Sequence, residues 1–430
     1  MLTKIKNLIL LVLISVLAGY LLLVLVYAIP QKSLILACAN SVSVFENEEL
    51  GERITGYPNS SVDVYTDGSM FNTALFDNEE SPFRKAVACH QYGYKDKSPE
   101  QAFRAYFYEE TPDYEADYTR YWHGFLVFLK PLLLFFNYSD IRVINALLQT
   151  GLLCLIIVLF SKRKLYMEMG ALLITYLFLT PYTLGLCLQY SSVFYIGFTG
   201  LLLLTAFYEK IRDKGLFLEL FALLGMLTSY MDLLTYPVFT LGIPLTGYVI
   251  LYSFYERDKE SFFEKPYIKV LCFSASWAFG YIGMWAGKWL ISIPFYGMES
   301  LLDTFLQVKK RSVGNEEELI SYFDTLGNNF FMYKNSIYIL LLVLYLLCIF
   351  VLLMYNRHKK KAAFKPKLSV LLSYVIIMLI PFGWMLVTKE HAMVHSFMTH
   401  KNLTVSVFAL LCLIKTPLSE LLDSRKESGR

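Results

Sequence analysis

Apolar runs about as long as a bilayer is thick divide this chain and limit what it can fold into. A helix needs roughly 20 apolar residues to cross a hydrocarbon core of about 30 Å. With 56% hydrophobic and only 17% charged residues, the chain also lacks the charge that a soluble domain of this size would need. We predict an all-α, polytopic transmembrane helical bundle of about ten spans, with a range of nine to eleven. The predicted spans are approximately 7–29, 140–160, 165–187, 191–208, 215–230, 233–255, 269–295, 336–355, 368–387 and 403–414.

The first apolar run follows Lys4 and Lys6, as the core of a secretory signal does. It is too long for such a core, and the segment from Tyr27 to Pro30 is a poor cleavage site because it lacks the required small residues. We therefore interpret residues 1–29 as a retained signal-anchor span. A cleaved signal is the alternative.

The connections between the predicted spans alternate between the two sides of the membrane and so fall into two sets. Lysine and arginine are distributed unevenly between these two sets. One set, which includes both ends of the chain, holds 22 basic residues, whereas the short connections of the opposite set hold almost none. Basic residues accumulate in cytoplasmic connections. With an even number of spans, the sequence predicts a multi-pass protein of the cell membrane with both termini in the cytoplasm.

This orientation places three longer segments outside the cell: 30–138, 297–335 and 388–402, the last two being loops of a multispanning domain at 139–430. From Pro30 to Trp122 the first segment carries 16 acidic against 8 basic residues. The apolar stretch FLVFLKPLLLFF at 125–136 is too short to span, so we predict an interfacial or re-entrant helix there, before the second span. Cys38 and Cys89 share the first segment and could form a disulfide outside the cell.

Five of the six histidines fall in the segments predicted to lie outside: His90, His123, His391, His395 and His400. On a helix, His391 and His395 would share one face, a turn apart. The functional interpretation is a cluster that handles protons or phosphate at the membrane surface, and the alternative is an ordinary polar connection. Zinc is a weaker option, because no carboxylate has the spacing to complete a site.

Two carboxylates, Asp63 and Asp67, lie in a stretch of small and polar residues between Val62 and Leu75. If Asp67 begins a helix, its carboxylate is held at the positive end of the helix dipole. The structural alternative is an N-cap aspartate without further function.

Basic residues near the predicted membrane surface are candidates for binding an anionic group. Arg120 and His123 come just before the interfacial helix, and arginine can bind phosphate through two hydrogen bonds. Lys310 and Arg311 belong to a basic triplet in the second outside loop, where a solvated loop is an equally good interpretation.

The layout resembles the GT-C class of membrane glycosyltransferases, which use lipid-linked sugar donors. The likeness consists of a first span followed by a large outside loop with an acidic site, a half-embedded helix before the second span, and a late polar outside loop. The strings YTRYWHGFLVFLKPLLLFF and HSFMTHKNLTV are also similar to those of uncharacterised multispanning proteins from Gram-positive bacteria.

The resemblance implies an enzyme that transfers a sugar from a polyprenyl-phosphate donor to a cell-envelope glycan on the outer face. Asp67 matches the catalytic base of that class, with Asp63 as the alternate. The departing lipid phosphate would be stabilised by basic and histidine side chains: Arg120, His123, Lys310, Arg311, His391, His395 and His400. No metal ligands are assigned, and a divalent cation is the only cofactor left open.

Two other functions remain open on the sequence. The first is a transporter or flippase for a lipid-linked or anionic substrate, although the sequence shows no inverted repeat and no paired broken helices. The second is a non-enzymatic envelope protein whose first loop is a binding domain. No P-loop, dinucleotide fingerprint or nucleophile elbow is present. The expected partners are the lipid bilayer, the lipid-linked sugar and the glycan acceptor, and no nucleic acid.

Overall fold

The computed structural model describes residues 2–48, 51–255, 262–299, 302, 305–306, 309, 320–359 and 368–427, and these residues are almost all helical. Six helices are long and apolar enough to cross a membrane, as expected for a multi-pass membrane protein. They are Thr3–Tyr27, Tyr138–Lys162, Leu188–Asp213, Pro266–Tyr296, Leu368–Val387 and Ser396–Thr416.

The predicted number of about ten spans is not confirmed. Three of the predicted spans form shorter apolar helices of 13, 15 and 17 residues: α9 (Tyr166–Phe178), α12 (Phe217–Met231) and α13 (Phe239–Tyr255). A fourth, α16 (Ser336–Lys359), forms a pair bent by 85° with α15 (Tyr322–Phe331), and the pair together is long enough for a seventh span.

The predicted span 165–187 is interrupted. Helix α9 ends at Phe178, a short helix α10 covers Pro181–Leu186, and a 3-10 turn covers Leu188–Tyr190. Thr180, between the two helices, has a left-handed backbone (φ 60°). A proline disfavours the helical conformation in the residue before it and cannot donate a backbone hydrogen bond, so Pro181 explains the break.

A second irregular segment separates α12 from α13. The predicted span beginning at residue 233 becomes helical only at Phe239, because Leu234 has a left-handed backbone (φ 65°) and Pro237 follows. Asp232 stabilises this turn by accepting a hydrogen bond from the Thr235 amide at 3.0 Å. The Tyr236 hydroxyl donates to the Tyr190 carbonyl at 2.6 Å, so the two irregular segments are in direct contact.

The first predicted outside segment folds into small helices and a two-stranded antiparallel sheet, in which β1 (Gln91–Gly93) pairs with β2 (Tyr114–Ala116). Cys38 and Cys89 are buried free thiols, so the disulfide that the sequence left open is not formed in this structure. The helices are α2 (Ile35–Ala39), α3 (Val42–Asn47), α4 (Val64–Leu75), α5 (Pro82–Ala88) and α6 (Pro99–Phe107).

The apolar stretch predicted at 125–136 contains a helix of seven residues, α7 (Leu126–Leu132). It buries Leu126 and Leu129 and packs against α1 (Leu2–Tyr27) and α4. The Lys130 ammonium is also buried and lies 4.8 Å from the centre of the Tyr27 ring. The helix thereby joins the first span to the outside segment.

Helix α12 and the 31-residue helix α14 (Pro266–Tyr296) approach each other at backbone distance. A methyl group added to Gly225 would lie 2.0 Å from the Trp277 carbonyl oxygen, and one added to Gly280 would lie 2.0 Å from that of Ala222. Small residues allow such contact between membrane helices, where dispersion forces replace the hydrophobic effect as the driving force.

Gly280→Ala should therefore force α12 and α14 apart and lower the thermal stability of the detergent-solubilised protein, by about 1–3 kcal/mol or more for overpacking. The matched control is Gly151→Ala in the span Tyr138–Lys162, because nothing lies within 4 Å of an added methyl group there. Equal melting temperatures for the two variants would contradict the close contact of α12 and α14.

Candidate functional site

The Asp67 side chain is buried, and it accepts hydrogen bonds from the backbone that follows the short helix α10. The residue lies in the first turn of α4, and Asp63 is the N-cap of that helix, so Asp67 is close to the positive end of the helix dipole without beginning the helix. Its carboxylate accepts hydrogen bonds from the amides of Leu188 (2.8 Å) and Gln189 (3.0 Å) and from the hydroxyl of Tyr138. The break in the helix frees these amides, and the carboxylate satisfies them in a region without solvent.

Burial raises the pKa of Asp67 from 3.8 to about 7, because an ionised carboxylate loses its hydration. The hydrogen bonds from Tyr138 and Leu188 oppose this rise, since they favour the charged form. The carboxyl group therefore changes its charge near neutral pH, which is the range in which a general base is most effective.

Asp63 contacts the same segment as Asp67. One carboxylate oxygen caps α4 by accepting from the Thr66 amide at 3.0 Å, and the other accepts from the Gln189 side chain. The Asp63 amide donates to the sulfur of Cys187 at 3.4 Å. Burial raises the pKa of Asp63 as well. Asp63 and Asp67 thus contact consecutive residues of one segment and form a fixed pair of carboxyl groups.

A cation from the second span supports this pair. Arg142 binds Glu48 through two hydrogen bonds of 2.5 and 2.8 Å and donates to the Tyr138 hydroxyl at 2.8 Å. Tyr138 in turn contacts Asp67, so a charge-assisted chain runs from Glu48 to the buried carboxylate. This chain fixes the position of the Asp67 side chain.

Lys401 approaches the interrupted helix from the end of the chain. Its ammonium is buried and donates to the Leu179 carbonyl at 3.0 Å and the Thr183 hydroxyl at 3.4 Å. It also lies 4.8 Å from the centre of the Tyr190 ring. Within the described part of the chain, no carboxylate lies within ion-pair distance of this ammonium. A buried cation with neutral partners is costly, and an anion would stabilise it.

Several buried polar atoms around the same segment make no hydrogen bond within the described ranges. Native proteins leave few such groups, so each one requires an explanation. The concentration of five atoms here indicates a surface that can accept polar groups of a ligand. The atoms are Asn59 Oδ1, Gln189 Oε1, the Tyr190 hydroxyl, His400 Nε2 and Asn402 Oδ1.

His391 and His395 lie close together at the second irregular segment. Their ring centres are 4.6 Å apart, and His391 Nε2 donates to the Leu234 carbonyl at 2.8 Å. His400 is fully buried, with its Nδ1 at 2.8 Å from the Ser396 carbonyl and its ring 5.1 Å from that of Tyr333. His391 therefore contacts the second irregular segment, whereas His400 packs against Tyr333.

The other predicted phosphate-binding residues occupy different surroundings. Arg120 stacks over the Tyr118 ring at 4.8 Å, and His123 contacts the same ring at 4.9 Å. Burial is the main reason that the pKa of His123 falls to about 3, so this side chain is neutral at pH 7 and supplies no positive charge. Lys310 and Arg311 lie outside the described residues.

No protein-family model, no curated protein and no solved structure matches this chain. The resemblance to GT-C enzymes therefore stays a prediction from the sequence. The function is inferred below from the buried cluster of Asp63, Asp67 and Lys401.

Metal binding is not indicated in the described ranges, where no three His, Cys, Asp or Glu side chains are grouped to hold an ion. Asp63 and Asp67 direct their oxygens at protein donors. The cluster is suited to proton transfer and anion binding.

Sequence reasoning missed Lys401, Gln189 and Tyr138. Lys401 carried a signal, because it is one of few basic residues in the short connections predicted to face outside. Gln189 and Tyr138 carried none, since their role depends on the break at Thr180, which brings Gln189 to both carboxylates.

The raised pKa of Asp67 predicts how stability changes with pH. The folded state keeps the proton up to about pH 7, whereas the unfolded state releases it near 3.8. The stabilisation is therefore complete below pH 3.8 and is lost as the pH rises to about 7. The melting temperature of the wild type, measured relative to Asp67→Asn, should fall between pH 4.5 and pH 7.5.

The control is Asp96→Asn, which changes an exposed carboxylate of the same outside segment. It should show no such fall. A difference between the wild type and Asp67→Asn that rises over this pH range would contradict the burial of Asp67 as a proton-binding group.

Proposed function

We propose that this protein is a membrane glycosyltransferase of GT-C type, which transfers a sugar from a polyprenyl-phosphate donor to a cell-envelope acceptor on the outer face. One observation carries the proposal. The segment from Leu179 to Tyr190 is contacted on one side by the carboxyl pair Asp63 and Asp67, and on another by Lys401, a buried cation without a carboxylate partner in the described structure. A base next to an anion site is what this reaction needs.

In the proposed reaction, Asp67 accepts the proton of an acceptor hydroxyl. The hydroxyl oxygen forms a bond to the anomeric carbon of the donor sugar, and the bond from that carbon to the phosphate oxygen breaks. Both bonding electrons leave with the polyprenyl phosphate. Because the hydroxyl attacks from the face opposite to the phosphate, the configuration at the anomeric carbon is inverted. A pKa of about 7 lets Asp67 be ionised in a large part of the molecules at neutral pH and still bind the proton that it removes.

The developing charge on the phosphate is assigned to Lys401, with His400 and Asn402 beside it. Lys401 and an unpartnered nitrogen of His400 lie in a buried region, where the lower dielectric strengthens attraction to an anion. His391 and His395 extend this polar surface toward Leu234. The assignment of Arg120, Lys310 and Arg311 to the phosphate rests on the sequence alone.

Asp67→Asn tests the base. We expect the rate of sugar transfer to fall by about 100-fold or more, because general base catalysis contributes ~10²–10⁴. The measurement is the glycan composition of the cell envelope in a deletion strain that expresses the variant. Asp96→Asn is the matched control and should restore the glycan fully.

Folding of Asp67→Asn is checked by gel filtration of the purified protein, because the asparagine amide would face the Leu188 or Gln189 amide. A folded Asp67→Asn protein that restores the envelope glycan as well as the wild type does would overturn the assignment of Asp67. A deletion strain with an unaltered glycan would overturn the proposed function itself.

Lys401→Met tests whether the Lys401 ammonium binds the lipid phosphate or only stabilises the fold. Since Lys401 is buried without a carboxylate partner in the described structure, its removal should leave the melting temperature unchanged or raise it. Binding of polyprenyl phosphate to the purified protein should weaken by at least about tenfold, corresponding to about 1.4 kcal/mol. Lys389→Met, a half-exposed lysine in the same connection, should bind the lipid as the wild type does. A large loss of stability with unchanged binding would show that Lys401 only supports the fold.

The two irregular segments favour a second candidate, a transporter. No paired broken helices are visible in the sequence, yet the irregular segments at Thr180 and Leu234 contact each other through Tyr236 and Tyr190. Discontinuous helices form substrate sites in many transporters. A transporter would move its substrate across reconstituted vesicles without a lipid-linked sugar, whereas the proposed enzyme would not.

A further inference from the structure

At the end of the bundle opposite to the carboxyl pair, three helices leave an open groove of about 420 Å³ between them. Leu11 of α1 forms one part of it, and the remaining walls come from α11 (Ser191–Asp213), α12 and the turn between them. The volume is in the range of small-molecule sites, ~300–1,000 Å³. The walls are apolar: Leu11, Leu203, Phe207, Ile211, Leu216, Leu220 and Leu223.

An irregularity in α11 shapes this groove. Phe207 has non-helical backbone angles (φ −125°, ψ 24°), which indicate a kink within the helix. The Phe207 ring is half exposed and lines the groove. The kink thus lies within the part of α11 that lines the groove, between Leu203 and Lys214.

Two lysines line the same groove at its polar end. Lys210 and Lys214 are exposed, and among the described residues no carboxylate forms an ion pair with either of them. The acidic side chain at the groove, Glu219, is already neutralised by Lys4 at 2.8 Å. Asp213 is paired with Arg212 at 2.9 Å. The groove therefore combines apolar walls with a net positive rim.

We infer that this groove is a binding site for one anionic phospholipid. An acyl chain lies along the apolar walls, and the phosphate headgroup binds Lys210 and Lys214. Charge complementarity supports this occupant, because basic pockets between membrane helices on the cytoplasmic side bind acidic lipid headgroups. The turn with Lys210 and Lys214 belongs to the set of connections that holds 22 basic residues and is predicted to be cytoplasmic. The groove would then open to the cytoplasmic leaflet, which carries anionic lipids.

Other occupants fit the groove less well. A second copy of the chain would bring the same lysines against each other across a symmetric contact. A zwitterionic lipid would fill the apolar walls but would leave the two ammonium groups without a net counter-charge. An anionic lipid satisfies both parts of the groove.

The test uses the full chain, purified in detergent and supplied with short-chain phosphatidylglycerol or phosphatidylcholine. Phosphatidylglycerol should raise the melting temperature of the wild type, and native mass spectrometry should show one retained lipid. In Lys210→Gln/Lys214→Gln the retained fraction should fall by about fivefold or more. The phosphatidylglycerol-dependent rise in melting temperature should disappear.

The matched control is Lys6→Gln/Lys162→Gln, which removes two exposed lysines from the same end of the bundle but outside the groove. It should retain the lipid as the wild type does. Leu220→Trp, which fills the groove without changing charge, should also reduce retention. Equal loss in the control variant, or equal stabilisation by the two lipids, would overturn the inference. A concentration-dependent dimer lost in Lys210→Gln/Lys214→Gln would instead assign the groove to a second copy.

Discussion

The hydrogen bonds from the amides of Leu188 and Gln189 to Asp67 are the interaction on which the rest of the site depends. A helix interrupted within a bundle of membrane helices frees backbone groups that water cannot reach, and each unsatisfied group costs several kcal/mol. The carboxylate of a distant segment satisfies two of them at once. The segment between α1 and α7, which is predicted to lie outside, therefore docks where the helix is broken, and its position is set by the need to satisfy those amides.

The second irregular segment and the final connection complete this arrangement. Tyr236 hydrogen-bonds the Tyr190 carbonyl, His391 holds the Leu234 carbonyl, and Lys401 holds the Leu179 carbonyl. Three segments that are far apart in sequence thus satisfy each other's exposed backbone groups. Side chains that could handle a proton or an anion are brought together as a result, and this gives the proposed enzyme its base and its anion site.

The apolar runs predicted a helical membrane bundle, and six long apolar helices agree with it. The breaks were not predicted, because hydropathy averages over a window and gives Pro181 and Pro237 little weight, although both prolines stand at irregular turns. Asp63 and Asp67 were recognised as candidates because two carboxylates in a short polar stretch are visible in sequence. Lys401 stood out only as a basic residue in a short connection predicted to face outside, and the role of Gln189 depends on tertiary contacts that no local pattern shows. Asp63 is the N-cap of α4, and Asp67 follows it in the first turn of that helix.

The short helices α9, α12 and α13 also affect how the chain enters the membrane. At 13, 15 and 17 residues they are shorter than the roughly 20 residues that a stable independent span requires. Each one therefore depends on packing against its neighbours, as α12 does where its middle meets α14 at Gly225 and Gly280. We therefore expect the short helices to enter the membrane together with their partners, so that a variant that weakens one helix pair lowers the yield of inserted protein.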